Sequence, residues 1–228
     1  MKKVTKAVIP AAGMGTRVLP ATKSIPKEML PIVDIPSIEY IVREAVNAGI
    51  TDILIITNRG KGAIEDHFDH SVELEAALER SAKLKQLEQI REVCDLANIT
   101  FIRQKETRGL GHAVSRARSF VGDDPFVVLY GDDVILGDVP VTKQLIDAYE
   151  KYGKMCCGIK EVAPEFVMKY SSLKVDKIED RIYNVTDMIE KPKTIEEAYS
   201  RFSILGRVLL TPEIFDILDK TPPGAGNE

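Results

Sequence analysis

Cysteine is scarce in this chain, three residues in 228, and no pair has the C-x-x-C spacing of a zinc or redox site. Cys156 and Cys157 are neighbours in a strand-like stretch, so their side chains point to opposite faces and are poorly placed to bridge each other, while Cys94 falls in a helical run. Core packing is the role expected of all three. No apolar run reaches the length of a membrane span, and MKKVTKAVIP passes straight into a strand without a signal-like apolar core. The chain therefore reads as cytoplasmic, with no membrane role. Positive charge is not in surplus either: the net charge is −4 and the Lys and Arg residues are scattered, which leaves no basic face for nucleic acid.

The chain has the length of one large α/β domain, 1–228, with a substantial core. Short apolar runs at Ala7 to Pro10, Asp52 to Thr57, Ile99 to Arg103 and Pro125 to Tyr130 read as buried strands. Ile38 to Ala48 is amphipathic at helical spacing, with Gly49 placed to stop it. Strand, helix and strand in that order imply right-handed parallel crossovers. Ala63 to Phe68 begins a further helix, Glu73 to Asn98 reads as one long charged helical region, and Val141 to Tyr152 as another helix before a strand at Met155 to Val162. The pattern then changes to a hairpin, Ser172 to Lys177 and Arg181 to Met188, around Glu179-Asp180. A helical Ile195 to Tyr199, a strand at Ser203 to Leu210 and a helix from Pro212 to Leu218 follow. The fold class is α/β: a Rossmann-like, mixed but mostly parallel sheet flanked by helices, with a small antiparallel hairpin.

Chemistry concentrates after the first strand, in AVIPAAGMGTRVLPATKSIPKEMLP, residues 7–31. Ala11, Ala12, Gly13, Met14 and Gly15 make a small-residue loop whose backbone N–H groups can approach an anion closely. It is not a P-loop, because Thr16 and Arg17 stand where Lys-Ser/Thr is needed, and Val18 occupies the third glycine of a dinucleotide fingerprint. Arg17 adds a permanent guanidinium that can clamp phosphate oxygens, and Lys27 adds an ammonium on a stiff Pro26 to Pro31 segment. The pair suits a triphosphate. A plain strand-to-helix turn with solvated Arg17 and Lys27 is the other reading that the glycines by themselves permit.

Further strand ends carry two more polar groups. Gln104 opens a glycine-bearing loop, Gln104 to Ala113, where an amide can offer a donor and an acceptor to the imide edge of uracil or thymine; an exposed glutamine at a helix N-terminus fits as well. Gly131-Asp132-Asp133 ends the PFVVLY strand. In an open parallel sheet that end faces the ligand crevice, where an Asp can hold Mg²⁺ with substrate phosphates as further ligands. An Asp-Asp turn is the plainer explanation. Glu190-Lys191 could bind sugar hydroxyls and a sugar phosphate, although an exposed ion pair is the usual meaning of such neighbours. His67 and His70 lack partners at metal-ligand spacing and read as packing or surface residues.

Taken together, G-x-G-T-R-x-L-P-A-T-K-x-x-P-K-E-M-L-P resembles the signature of the sugar-nucleotide pyrophosphorylases, in the form found in bacterial UTP–glucose-1-phosphate uridylyltransferases. The resemblance implies formation of UDP-glucose and pyrophosphate from UTP and glucose 1-phosphate, with Mg²⁺ as cofactor. It also implies roles residue by residue. Arg17, Lys27 and Asp132 would be catalytic, with Asp132 the metal ligand; Ala12, Gly13, Gly15, Gln104 and Gly109 would hold the nucleotide; Asp133, Ser171, Glu190 and Lys191 would lie on the sugar-phosphate side. His112 would brace the base loop. Ser171 stands where the family has a glycine close to the hexose, Val208 replaces a tyrosine and Ile35 a lysine. The family continues beyond GAGNE with an I-Q-L-T-D run, carrying a second candidate metal carboxylate, and with elements that support a homo-oligomer, a dimer or tetramer, in the full-length form. A nucleotide-sugar-binding regulatory paralogue without turnover, and a pyrophosphorylase for another base or sugar such as dTTP, are the alternative functions.

Overall fold

A computed structural model describes residues 1–222, so the Gly224 to Glu228 ending lies outside the described residues. The chain divides into two compact units, one formed by residues 1–156 with the residues from 208 onward, the other by residues 157–207. In the first, β1 (Lys6–Pro10) is followed by a long loop containing the two-residue strands β2 (Pro31–Ile32) and β3 (Ile35–Pro36), then α1 (Ser37–Asn47) and β4 (Asp52–Thr57). Helices α2 (Gly62–Phe68), α3 (Val72–Arg80) and α4 (Leu84–Cys94) lead to β5 (Asn98–Arg103). Then come α5 (Gly109–Ser115), α6 (Arg118–Val121), β6 (Phe126–Leu129) and α7 (Val141–Tyr152). The second unit holds most of β7 (Cys156–Glu161), the hairpin β8 (Ser171–Glu179) and β9 (Ile182–Glu190), and the start of β10 (Phe202–Leu210); α8 (Glu213–Lys220) follows in the first unit. Strand order in the main sheet is β5-β4-β1-β6-β10-β7, with β5, β4, β1 and β6 paired in parallel.

Alternation along the central strands builds a core on each face of this sheet. Ala7, Ile9, Ile53, Ile55, Val127 and Leu129 point to one side, where Ile38, Ile41 and Val42 of α1, Ile64 and Phe68 of α2, and Leu145 and Ile146 of α7 cover them. Val8, Leu54, Ile56, Phe126 and Val128 point to the other, against Ala113 and Val114 of α5, Val121 of α6 and Phe215 of α8. Phe126 and Phe215 stack there with centroids 5.6 Å apart. No helix among the described residues is long and apolar enough to cross a membrane. None of the three cysteines is in a disulfide, and burial pushes the thiols of Cys94 and Cys157 up, away from the reactive thiolate.

Gly49 does end α1: at φ 94° it lets its own N–H and that of Ile50 reach the carbonyls of Val46 and Ala45, a Schellman stop. The long helical region expected from Glu73 to Asn98 is instead two helices. Ala82 takes φ 54°, its N–H bonds Glu79 O, and Lys83 N–H bonds Leu78 O, which is the same stop with alanine in glycine's place. Ile195 to Tyr199 forms turns and not a helix.

One buried polar cluster ties helices together beneath the sheet. Glu39 of α1 accepts from Arg43 Nε at 2.8 Å and lies 3.0 Å from His67 Nε2 of α2, so His67 is a packing residue with a carboxylate partner. Burial alone would raise the Glu39 carboxyl, but the hydrogen bonds with His67 and Arg43 outweigh it and hold the group below its ordinary 4.5. A carboxylate depressed on folding contributes stability above its ordinary pKa and loses it as pH falls through the lower folded value. Glu39→Gln is therefore expected to destabilise the protein by about 1–3 kcal/mol at pH 7, with the deficit shrinking in acid. Thermal melts of both proteins at pH 7 and pH 3 check this.

Candidate active site

The parallel strands β5, β4, β1 and β6 deliver their C-terminal ends to one edge, and the loops leaving that edge form the candidate site. The loop after β1 starts from buried Ala11 and Ala12: Ala11 N–H bonds Ile56 O at 2.8 Å, and Asn58 Nδ2, just past β4, donates to Ala12 O. Gly15 sits at φ 69°, ψ 28°, where its missing side chain matters twice, because a Cβ would also stand 3.2 Å from Thr22 Cβ and Cγ2. Thr22 Oγ1 closes this turn by donating to Gly15 O at 2.7 Å. Arg17 follows in a short 3₁₀ turn, Thr16–Val18, with its side chain exposed and without an ion pair among the described residues.

Lys27 returns to this loop from the Pro26 to Pro31 segment. Its Cε and Nζ lie 3.6 and 3.8 Å from where a Cβ on Gly13 would be, so the ammonium rests over glycine backbone. From there it reaches Asp132 Oδ2 at 2.7 Å, joining the loop after β1 to the end of β6. Close packing supports the join: a Cβ on Gly131 would be 3.1 Å from Pro10 O and 3.3 Å from Glu28 Cγ. Glycine is required there for β1 and β6 to end side by side.

The layer beneath holds residues that the sequence reading passed over. Glu28 is fully buried, its Oε2 accepting from Lys61 Nζ at 2.6 Å and its backbone carbonyl from Ser37 Oγ at 2.9 Å. Lys61, which leads into α2, is itself 6% exposed. Burial pushes the Glu28 carboxyl up, against the lowering pull of Lys61 and Lys27. The available signal was a charged residue between two prolines, running directly into Met29 and Leu30. Asn58 was the other omission, and a polar residue directly after an apolar strand was its signal.

Gln104 is almost fully buried at the end of β5, its N–H bonded to Thr57 O. Its Nε2 donates to Gly109 O at 3.2 Å and lies 2.9 Å from His112 Nδ1, with Gly109 at φ 79°. A carbonyl only accepts, so the amide nitrogen must face Gly109 and the side-chain oxygen is the end left to read a ligand. The expectation that Gln104 offers donor and acceptor together is thus narrowed to the acceptor, and His112 does brace the loop.

With this edge described, comparison with known proteins is decisive. A family model described as nucleotidyl transferase matches residues 6–226. The chain belongs to the nucleotidyl transferase family. It is 53% identical over 227 residues to the UTP–glucose-1-phosphate uridylyltransferase YngB of Bacillus subtilis, covering all of this chain and 76% of the relative, and 52% identical to that of Staphylococcus epidermidis, covering 79% of it. Among solved structures it resembles a UDP-glucose pyrophosphorylase complexed with UDP-glucose, at 43% identity and TM-score 0.86, over 99% of this chain and 83% of that one. A UTP-bound enzyme of the same kind from Acinetobacter baumannii aligns at 38% identity and TM-score 0.92, over 96% and 79%.

Of the remaining residues expected in this nucleotidyl transferase's site, Ser171, Glu190 and Lys191 belong to the second unit and Asp133 to the first. Ser171 and Glu190 pair across the start of β8 and the end of β9. Ser171 Oγ is 3.1 Å from Ser203 Oγ and accepts from Ile204 N–H, so its hydroxyl is committed inside the unit. Glu190 and Lys191 are exposed, 3.7 Å apart, with Lys191 at φ 49° and its N–H on Tyr170 O. At the β6 end Asp133 N–H bonds Tyr130 O, a turn that keeps it next to Asp132.

Proposed function

We infer that the protein is a UTP–glucose-1-phosphate uridylyltransferase, joining UTP and glucose 1-phosphate into UDP-glucose with release of pyrophosphate. The Lys27–Asp132 contact across two strand-end loops, in a chain about half identical to uridylyltransferases, carries this reading. A phosphate oxygen of the sugar phosphate attacks the α-phosphorus of UTP in line; that P–O bond forms as the bond to the β-phosphate breaks, and pyrophosphate leaves with the electron pair. No covalent enzyme intermediate is needed, so positioning and charge neutralisation supply the catalysis.

The backbone of Ala12, Gly13 and Gly15 would cradle the phosphates, and Arg17 and Lys27 would neutralise the departing pyrophosphate. Gln104 and Gly109 would hold the uracil. Glu190 would take sugar hydroxyls and Lys191 the sugar phosphate, while Asp133 would stay on the sugar side; the committed hydroxyl of Ser171 argues for a supporting place there and against direct contact. Asp132, with Asp133 beside it, offers hard carboxylate oxygens of the kind Mg²⁺ takes. No group of three or more His, Cys, Asp and Glu is gathered among the described residues, which suits an ion that keeps phosphates and waters as its other ligands. Bound Mg²⁺ would offset triphosphate charge. A cytoplasmic site of action accords with nucleoside triphosphates as substrates.

The test is pyrophosphate release with Mg²⁺, glucose 1-phosphate and each of UTP, dTTP, CTP, ATP and GTP in turn. Release with UTP is expected. Preference for dTTP would reassign the base, and binding of UDP-glucose without release from any triphosphate would favour a regulatory protein.

A further inference from the structure

The Glu28 carboxylate has one oxygen without explanation. Oε2 is taken by Lys61, but Oε1 is buried with no hydrogen-bond partner among the described residues, and an orphaned carboxylate oxygen is expensive to keep in a protein interior. The cation facing it is Lys27, whose Nζ is 4.0 Å from Glu28 Oε1 and 2.7 Å from Asp132 Oδ2. Lys27 therefore stands between two carboxylates of different kinds. Asp132 is half exposed and lies where the ligand would bind; Glu28 is sealed under the loop and held from behind by Lys61 and the Gly131 backbone.

We propose that Glu28 is a positioning residue for Lys27, the second station that keeps the ammonium over Gly13 when the ligand draws it from Asp132 toward the phosphates. The inference rests on the reading that Lys27 meets the triphosphate. Without Glu28, a freed lysine would spread over many rotamers and meet the phosphates with less of its charge in place. With it, a small swing toward Oε1 satisfies the orphaned oxygen while the ammonium stays at the loop. Lys61, 2.6 Å from Oε2, pulls against the upward push of burial on this carboxyl and fixes its other oxygen in place, so the three groups act as one unit.

Binding separates positioning from mere support. Without glucose 1-phosphate there is no turnover, so calorimetry gives the Kd for UTP with Mg²⁺ directly. The paired variant Glu28→Gln with Lys61→Met removes the buried ion pair without leaving either charge alone, and it is made in the wild-type and the Lys27→Met backgrounds. Expected is roughly tenfold weaker binding in the first background and less than twofold in the second, because the effect passes through Lys27. Equal weakening in both would overturn the proposal and leave Glu28 a structural residue. An unchanged Kd for Lys27→Met alone would remove the phosphate role of Lys27, and this inference with it. If the paired variant melts below the assay temperature, Glu28→Asp, which keeps the charge but withdraws the oxygen, is read by the same two outcomes.

Discussion

Asp132→Asn should lower turnover by roughly 10²–10³ with little change in folding stability. The two halves of this expectation have separate grounds. The Asp132 carboxylate is 48% exposed and its partner Lys27 is 23% exposed, so the ion pair forms in high dielectric, where such pairs contribute about 0–1 kcal/mol. Melting temperatures should accordingly lie close together. On the proposed mechanism, catalysis would depend instead on the charge at the end of β6: asparagine keeps the shape and loses the hard anionic oxygen, so phosphate charge would be less well balanced at the moment the α-phosphorus is attacked. UTP binding should suffer less than turnover, because Lys27, released from its carboxylate, remains over Gly13 to meet the phosphates. Pyrophosphate release measured across a Mg²⁺ titration, beside thermal melts, resolves these effects. Unchanged turnover would transfer the role to Asp133, one residue along the same turn.

How far the sequence foretold this site depended on whether the deciding interaction was local. The strand ends were legible, because DILIIT and PFVVLY are too apolar to be anything but buried, and parallel pairing then sends every following loop to one edge. Gly13 and Gly15 were legible as a loop of special backbone conformation, and Gly15 does take φ 69°, since glycine spacing reports backbone conformation directly. The break between α3 and α4 was not: Ala82 occupies the left-handed position with two stop hydrogen bonds supporting it, and alanine in a helical run advertises continuation. The Glu28–Lys61 pair was invisible for a different reason. The two residues lie on separate loops, 33 positions apart, and only the docking of those loops brings them within 2.6 Å. Pattern reading assigns such charges to the surface. Burial reverses the meaning of both, and it sets Lys27, whose Nζ is 4.0 Å from Glu28 Oε1, beside a buried pair and not alone on its loop.

For base recognition, Gln104→Leu should reduce kcat/KM for UTP by roughly 10- to 100-fold, the effect of losing about 1.4–2.7 kcal/mol of buried hydrogen bonding. The amide nitrogen has partners in place, Gly109 O and His112 Nδ1, so on the proposed function the oxygen would be the acceptor left for the base. Uracil and thymine both present an imide N–H to such an acceptor, whereas cytosine presents a bare ring nitrogen at that position and must shift to offer its 4-amino group instead. UTP and dTTP should therefore fall by similar factors in the variant and CTP by less, so that the preference for UTP over CTP shrinks along with the rate. The 5-methyl of thymine is not sensed by this amide, and any preference between UTP and dTTP must come from packing around the ring or from contacts to the 2′-hydroxyl that dTTP lacks. A loss for UTP that leaves the UTP-to-CTP ratio intact would mean that Gln104 acts only as a brace, holding Gly109 and His112 while another group reads the base.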